Sequence, residues 1–217
     1  MRFISPKLYA FVRLATALII VVTIAYQLHI SLTNYHAGLV NFFSYFTVLS
    51  NLIFGGVLVL GAVRTLRGKQ KSAALEYARG AAVIYMVTTG IVYGLLLSGY
   101  EAENHIMTPG VNTILHQIMP LFATIDWVLW PPRISLRRSL TWTWLAFPFL
   151  YVIYTLLRGP HSSWYPYPFF NPGQPGGYGR VVAYSVGIAA GMSVCILLVG
   201  WSRVAQDGPI AKKATRR

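Results

Sequence analysis

The 217 residues are 55% hydrophobic and only 11% charged, whereas a soluble domain of this size carries about 25% charged residues, so most of the chain does not face water. Its net charge of +13 comes from 18 Lys and Arg against 5 Asp and Glu, but the basic residues sit between long apolar runs rather than on one face of a soluble module, which argues against a nucleic-acid binder. The single cysteine, Cys195, excludes an intramolecular disulfide framework and a thiolate zinc site.

Crossing roughly 30 Å of hydrocarbon takes about 20 helical residues, and six runs meet that need, at about 9–28, 41–62, 79–98, 111–130, 140–157 and 181–200. The expected fold is therefore all-α: one polytopic transmembrane domain of six helices, followed by a basic cytoplasmic tail at 201–217. The first run follows Arg2 and Lys7 and contains Arg13, a flank that also suits a signal peptide. It is longer than a typical signal core, and five comparable runs follow it, so it reads as a retained span. The fifth run is the shortest and contains Pro148, tolerated where neighbouring helices satisfy the freed carbonyl.

The connecting segments sort by charge. Arg2, Lys7 and Arg13 lie at the N-terminus, Arg64, Arg67, Lys69, Lys71 and Arg79 in the second loop, Arg133, Arg137 and Arg138 in the fourth, and Arg203, Lys212, Lys213, Arg216 and Arg217 in the tail. The first and third loops hold no Lys or Arg, and the fifth has only Arg158 and Arg180 at its ends. This alternation is the positive-inside pattern for an even number of spans, with both termini cytoplasmic in a cell membrane.

The fifth loop is unlike the others. Prolines at 160, 166, 168, 172 and 175 oppose a regular helix, and Gly173, Gly176, Gly177 and Gly179 make its second half rich in turns. Trp164, Tyr165, Tyr167, Phe169 and Phe170 are too apolar for a water-spanning loop. They form either an aromatic anchor at the outer interface or a lid folded over the bundle.

Strongly polar groups inside spans are expensive, and each is a functional candidate. In the second span Ser44, Thr47 and Asn51 fall at i, i+3 and i+7, on one side of the helix. In the fourth, Asn112 and His116 fall at i and i+4. Thr47 lies about 9 Å and His116 about 8 Å below the starts of their helices, at matching depth in the outer leaflet. A hydroxyl and an imidazole that meet there form a minimal nucleophile and general base. The bland alternatives are a threonine bonded to its own i−4 carbonyl and asparagines that act as interhelical glue rather than orienting the pair or donating to an oxyanion. Asp126, the one acidic residue within a span, lies about 15 Å along the axis from His116. It suits a structural pairing with Arg133 or Arg137, or a transport carboxylate, and Glu101 or Glu103 of the third loop is the better placed acidic orienter. No phosphate loop, zinc-hydrolase helix or internal repeat is present, so no cofactor and no metal is expected. A haem held by His29 and His116 lacks a second histidine pair in the inner half.

The segments YFTVLSN (45–51), NTILHQIMPLFATIDWVLWPPR (112–133) and WYPYPFFNP (164–172) resemble a bacterial branch of the FAR-17a/androgen-induced-protein-like integral membrane family. The six-span layout is similar too. Animal members of that family hydrolyse fatty acid esters of hydroxy fatty acids, and the resemblance implies a threonine nucleophile at Thr47 and a histidine base at His116. The expected activity is thus intramembrane hydrolysis of a lipid-like acyl ester, with membrane lipids and a fatty acyl ester as partners. The alternatives are a small-molecule transporter and a non-catalytic structural membrane protein.

Overall fold

The computed structural model describes residues 5–35, 38–69, 72–99, 107–132 and 136–204, the last five by their backbone alone. All regular structure among them is helical. Helix α1 (Pro6–Thr33) starts where the Ser5 hydroxyl accepts the Leu8 N–H at 3.2 Å and Pro6 occupies the first turn, a position where its missing N–H has no acceptor to lose. A short helix α2 (Leu39–Phe42) precedes α3 (Phe46–Leu66). Helix α4 (Ala73–Val92) runs on through a π-helical turn, Tyr93–Leu97. Helix α5 is built from Pro109–Thr113, a second π-helical turn at Ile114–Ile118, and Met119–Leu129. Helix α6 joins Arg138–Thr141, the tight 3-10 turn Trp142–Leu145 and Ala146–Ser162, and α7 is Gly177–Val204.

Five helices are long and apolar enough to cross a bilayer: Pro6–Thr33, Phe46–Leu66, Ala73–Leu97, Arg138–Ser162 and Gly177–Val199. With the apolar side chains of Leu18, Val22, Leu60, Leu95, Val128 and Phe149 turned outward, the chain is a multi-pass membrane protein. The run expected as the fourth span, 111–130, is helical as well. It carries Asn112, His116, Gln117 and Asp126 among its apolar residues and is not one of the five.

Two boundaries differ from the sequence reading. The run 41–62 is interrupted at 43–45, where Ser44 and Tyr45 make turn bonds back to Asn41 and Phe42 and Tyr45 is extended. The Ser44 carbonyl accepts the Tyr151 hydroxyl at 2.9 Å, so α6 satisfies a backbone group that the break releases. Ser44 consequently does not share a helix with Thr47 and Asn51. At the other end of α6, the helix continues through Arg158 and Pro160 to Ser162 before Ser163, at φ 50°, ends it. Pro160 forgoes one backbone bond there without stopping the helix.

Helix α3 packs on α1, α4 on α3 and α5 on α4, while α7 packs on α4 and on the loop after α6. The main core joins Ile20 and Ile24 of α1, Phe54 and Leu58 of α3, Met86 of α4 and Leu115 of α5. Gly90 lets Pro120 and the His116 carbonyl come close to α4; a Cβ there would lie 3.0 Å from Pro120. Pro120 has no N–H to give to the His116 carbonyl four residues back, which fits the π-helical turn just before it.

Asp126 fixes the end of the bundle formed by the start of α1, the start of α4 and the end of α5. Its carboxylate is fully buried and accepts from Arg13 Nε at 2.7 Å, Arg79 Nη1 at 2.9 Å and the Tyr9 hydroxyl at 2.8 Å. Arg79 also donates to Glu76 and to the Trp130 carbonyl, and Tyr9 stacks on Trp130 with ring centroids 3.3 Å apart. Among the described residues the arginine partners of Asp126 are Arg13 and Arg79, of α1 and α4, and not the expected Arg137. Arg137 contributes its backbone N–H to Tyr77, and Arg133 lies outside the described residues. Nearness in sequence suggested the loop arginines, but helix packing brings α1 and α4 to Asp126 first. Replacing one partner of such a cluster strands buried charge. Asp126→Asn should lower unfolding stability in detergent by about 3–5 kcal/mol, while Glu76→Gln, which leaves Arg79 its Asp126 contact, should lower it far less; thermal unfolding followed by circular dichroism checks the order.

Candidate functional site

Helix α3 begins at Phe46, so Thr47 sits in its first turn, where backbone N–H groups have no intrahelical acceptor. Most described threonines in the helices bond the carbonyl four residues back, as Thr16, Thr65, Thr88 and Thr124 do. Four residues before Thr47 the chain is in its break, and the Thr47 hydroxyl points across to α5, where Oγ1 lies 2.9 Å from His116 Nε2. Both side chains are buried, at 3% and 2% exposure.

The other ring nitrogen of His116 is held from its own helix. Asn112 Oδ1 lies 2.5 Å from His116 Nδ1, and Asn112 Nδ2 donates to the Tyr93 hydroxyl at 2.9 Å. With the amide nitrogen committed to Tyr93, Oδ1 must accept, so Nδ1 carries the proton and Nε2 presents its lone pair to the threonine hydroxyl. The Tyr93 ring lies flat against the imidazole, with centroids 4.3 Å apart and planes 16° apart. The two π-helical turns thus carry the two facing rings, one holding Tyr93 and the other His116.

Asn51, fully buried, donates through Nδ2 to the Thr47 carbonyl at 2.9 Å and to the Leu115 carbonyl at 3.3 Å. It ties the first turn of α3 to the residue before His116. Its Oδ1 has no hydrogen-bond partner among the described residues. Ser50 donates to the Thr47 carbonyl at 3.2 Å and lies 2.9 Å from the Thr89 hydroxyl.

The aromatic loop supplies a further contact. Tyr167, Phe169 and Phe170 are buried in the bundle, whereas Trp164 and Tyr165 are half-buried. The Tyr167 hydroxyl accepts the Thr47 N–H at 3.2 Å and lies 3.3 Å from Thr47 Oγ1. Tyr165 lies directly over Gly159, where any Cβ would collide with its ring. An apolar cavity of about 50 Å³ adjoins Thr47, walled by Phe46, Thr89, Val92, Tyr151, Tyr167 and Phe170 among others.

Thr47, His116, Asn112, Asn51 and Tyr167 therefore come together. Ser44 stays apart, its hydroxyl bonded to the Val40 carbonyl at 2.6 Å and 2.8 Å from the Tyr154 hydroxyl. Asp126 belongs to the arginine cluster at the other end, and Glu101 and Glu103 lie outside the described residues. Tyr93 is the participant that sequence reasoning misses. A tyrosine at the end of a span reads as an interface anchor, and only its position 19 residues before Asn112 in sequence hints otherwise. Among the described residues no group of three or more metal-ligating side chains gathers.

No protein-family profile, curated protein or solved structure matches the chain. The arrangement is a hydroxyl within hydrogen-bond distance of an oriented imidazole, with an asparagine on the other ring nitrogen. In ¹⁵N spectra of histidine-labelled protein, His116 should appear protonated at Nδ1 and bare at Nε2. Asn112→Leu should remove that tautomer preference and lower stability by about 1–3 kcal/mol, because it leaves a buried N–H unpaired.

Proposed function

We propose that the chain is an intramembrane ester hydrolase acting on fatty acyl esters, with Thr47 as nucleophile and His116 as general base. The observation that carries this reading is the 2.9 Å contact between Thr47 Oγ1 and His116 Nε2, with Asn112 holding the imidazole's other nitrogen. A buried threonine would ordinarily bond its own helix; this one faces a nitrogen lone pair at the edge of a cavity.

Thr47 Oγ attacks the acyl carbonyl carbon as its proton passes to His116 Nε2. The donor nearest to Thr47 Oγ1 for the oxyanion in this reading is the Tyr167 hydroxyl, 3.3 Å away. Collapse of the tetrahedral species breaks the ester C–O bond, and His116 returns the proton to the leaving alkoxide. Water then enters and gives a proton to His116 Nε2 as its oxygen bonds the acyl carbon; collapse breaks the bond from that carbon to Thr47 Oγ, His116 returns the proton to Oγ, and the fatty acid leaves. The family resemblance in 45–51 and 112–133 assigns the same two residues to these roles.

In this reading α5 is a sixth span. Its three pieces cover 21 residues, Pro109–Leu129, or about 32 Å at 1.5 Å per residue, and Asn112, His116 and Asp126 face partners inside the bundle while Gln117 is exposed. The alternation of basic loops then places both termini in the cytoplasm and the Thr47 site in the outer half of the cell membrane. The aromatic loop covers that site as a lid. A transporter would need an accessible deep carboxylate, and Asp126 is already engaged by two arginines and a tyrosine.

Purified protein should hydrolyse long-chain branched fatty acyl esters. Thr47→Ala and His116→Ala should each lower kcat by about 100-fold or more, with Thr47→Ser keeping part of the activity because it retains the hydroxyl. Turnover unchanged in either alanine variant removes that residue from the mechanism, and substrate flux lost in Asp126 variants with Thr47 dispensable would favour transport.

A further inference from the structure

A second apolar space lies on the outside of the bundle. It is a groove of about 420 Å³ between α4, including its π-helical turn, and α7, lined on one wall by Ile91, Leu95 and Leu96 and on the other by Tyr184, Gly187 and Gly191. That size falls within the range of about 300–1,000 Å³ usual for small-molecule sites. Its depth is set by glycine. A Cβ at Gly187 or at Gly191 would meet no atom within 4 Å, so the missing side chains on α7 open onto empty space instead of admitting a neighbouring helix of the chain.

The groove borders the site. Thr88, Val92, Ile188 and Met192 line both the groove and the cavity beside Thr47. These four side chains form one layer, with the lipid-facing groove between α4 and α7 on its outer side and the cavity at the threonine hydroxyl on its inner side. The inner cavity of about 50 Å³ is far smaller than the groove and lies below the range of about 300–1,000 Å³ usual for small-molecule sites. A long chain attached to an ester carbonyl at Thr47 must lie elsewhere, and the groove is the space that adjoins it.

We infer that the groove between α4 and α7 is the acyl-chain site: one unbranched aliphatic chain enters sideways from the bilayer, lies along Gly187 and Gly191, and delivers its ester carbonyl to Thr47. The inference rests on the hydrolase reading and specifies its substrate. Transfer of a chain from lipid to an apolar groove carries little hydrophobic gain, so the groove selects by shape and by positioning the ester rather than by strong affinity. A second copy of the chain is the competing occupant, since Gly187 and Gly191 also have the spacing at which membrane helices pair closely. The wall shared with the Thr47 cavity favours the chain: a helix packed on Gly187 and Gly191 needs no cavity behind the surface it covers.

The test uses the full chain in phosphatidylcholine vesicles with palmitic acid bearing a terminal diazirine as photoprobe, alongside the kinetics of long-chain and short-chain esters. Photolabelling should map to the 88–96 and 183–195 segments, and Gly191→Phe, which fills the groove, should remove that label. The same substitution should lower the ratio of long-chain to short-chain kcat/KM by about tenfold. Leu95→Trp, which narrows the groove from the opposite wall, should act in the same direction and serves where the first variant does not fold. Labelling confined to other segments, a selectivity ratio unchanged in both variants, or conversion of a dimer to a monomer by Gly191→Phe would each overturn the assignment. Labelling of the groove in a protein that hydrolyses no ester would retain the chain site and remove the hydrolase reading, so the two can fail separately.

Discussion

A polar side chain within hydrocarbon has no water to bond, so it must find its partners inside the bundle. In this chain that constraint acts at two places with opposite results. At one end it is met by charge: Asp126 receives two arginines and a tyrosine, and three helices are locked together. At the other end it is met by a chain of neutral groups, Tyr93, Asn112, His116 and Thr47, whose last link is a hydroxyl facing a ring nitrogen. The first arrangement is rigid because it is charged. The second is joined by hydrogen bonds between uncharged partners.

The local backbone explains why the second arrangement exists. An uninterrupted helix from residue 41 would give the Thr47 hydroxyl a carbonyl of its own turn. The break at 43–45 starts α3 one residue before Thr47, and Tyr151 of α6 takes up a carbonyl released by the break. On α5, Pro120 and the π-helical turn Ile114–Ile118 set the direction of His116. Asn51 then clamps the two pieces by bonding the Thr47 and Leu115 carbonyls together.

These features differ in how far the sequence reveals them. Helical spans are legible because length and hydropathy are summed over about 20 residues, and α1, α4 and α7 include the runs read at 9–28, 79–98 and 181–200. The break before α3 is not legible: NFFSYF is as apolar as a continuous span, and its stop depends on contacts with α6. The meeting of Thr47 and His116 is an expectation of equal depth that takes its distance only from the packing of α3 against α5. Matching depth was a coarse guide, since Thr47 lies in the first turn of α3 rather than well down a span. Asp126 shows the reverse. Its structural character is legible from its isolation among apolar residues, but its partners come from α1 and α4, more than 40 positions away in sequence. Tyr167 stands between these cases; its aromatic loop is conspicuous, and only the fold turns its hydroxyl toward Thr47.

The central claim is that the Thr47 oxygen is a nucleophile made reactive by His116, and covalent trapping tests it most directly. After incubation with a long-chain fluorophosphonate, intact-mass and peptide mass spectrometry should find one phosphonyl adduct on Thr47, absent from Thr47→Ala and strongly slowed in His116→Ala. A folded protein that takes no adduct at Thr47, or one labelled at the same rate without the imidazole, would contradict the account.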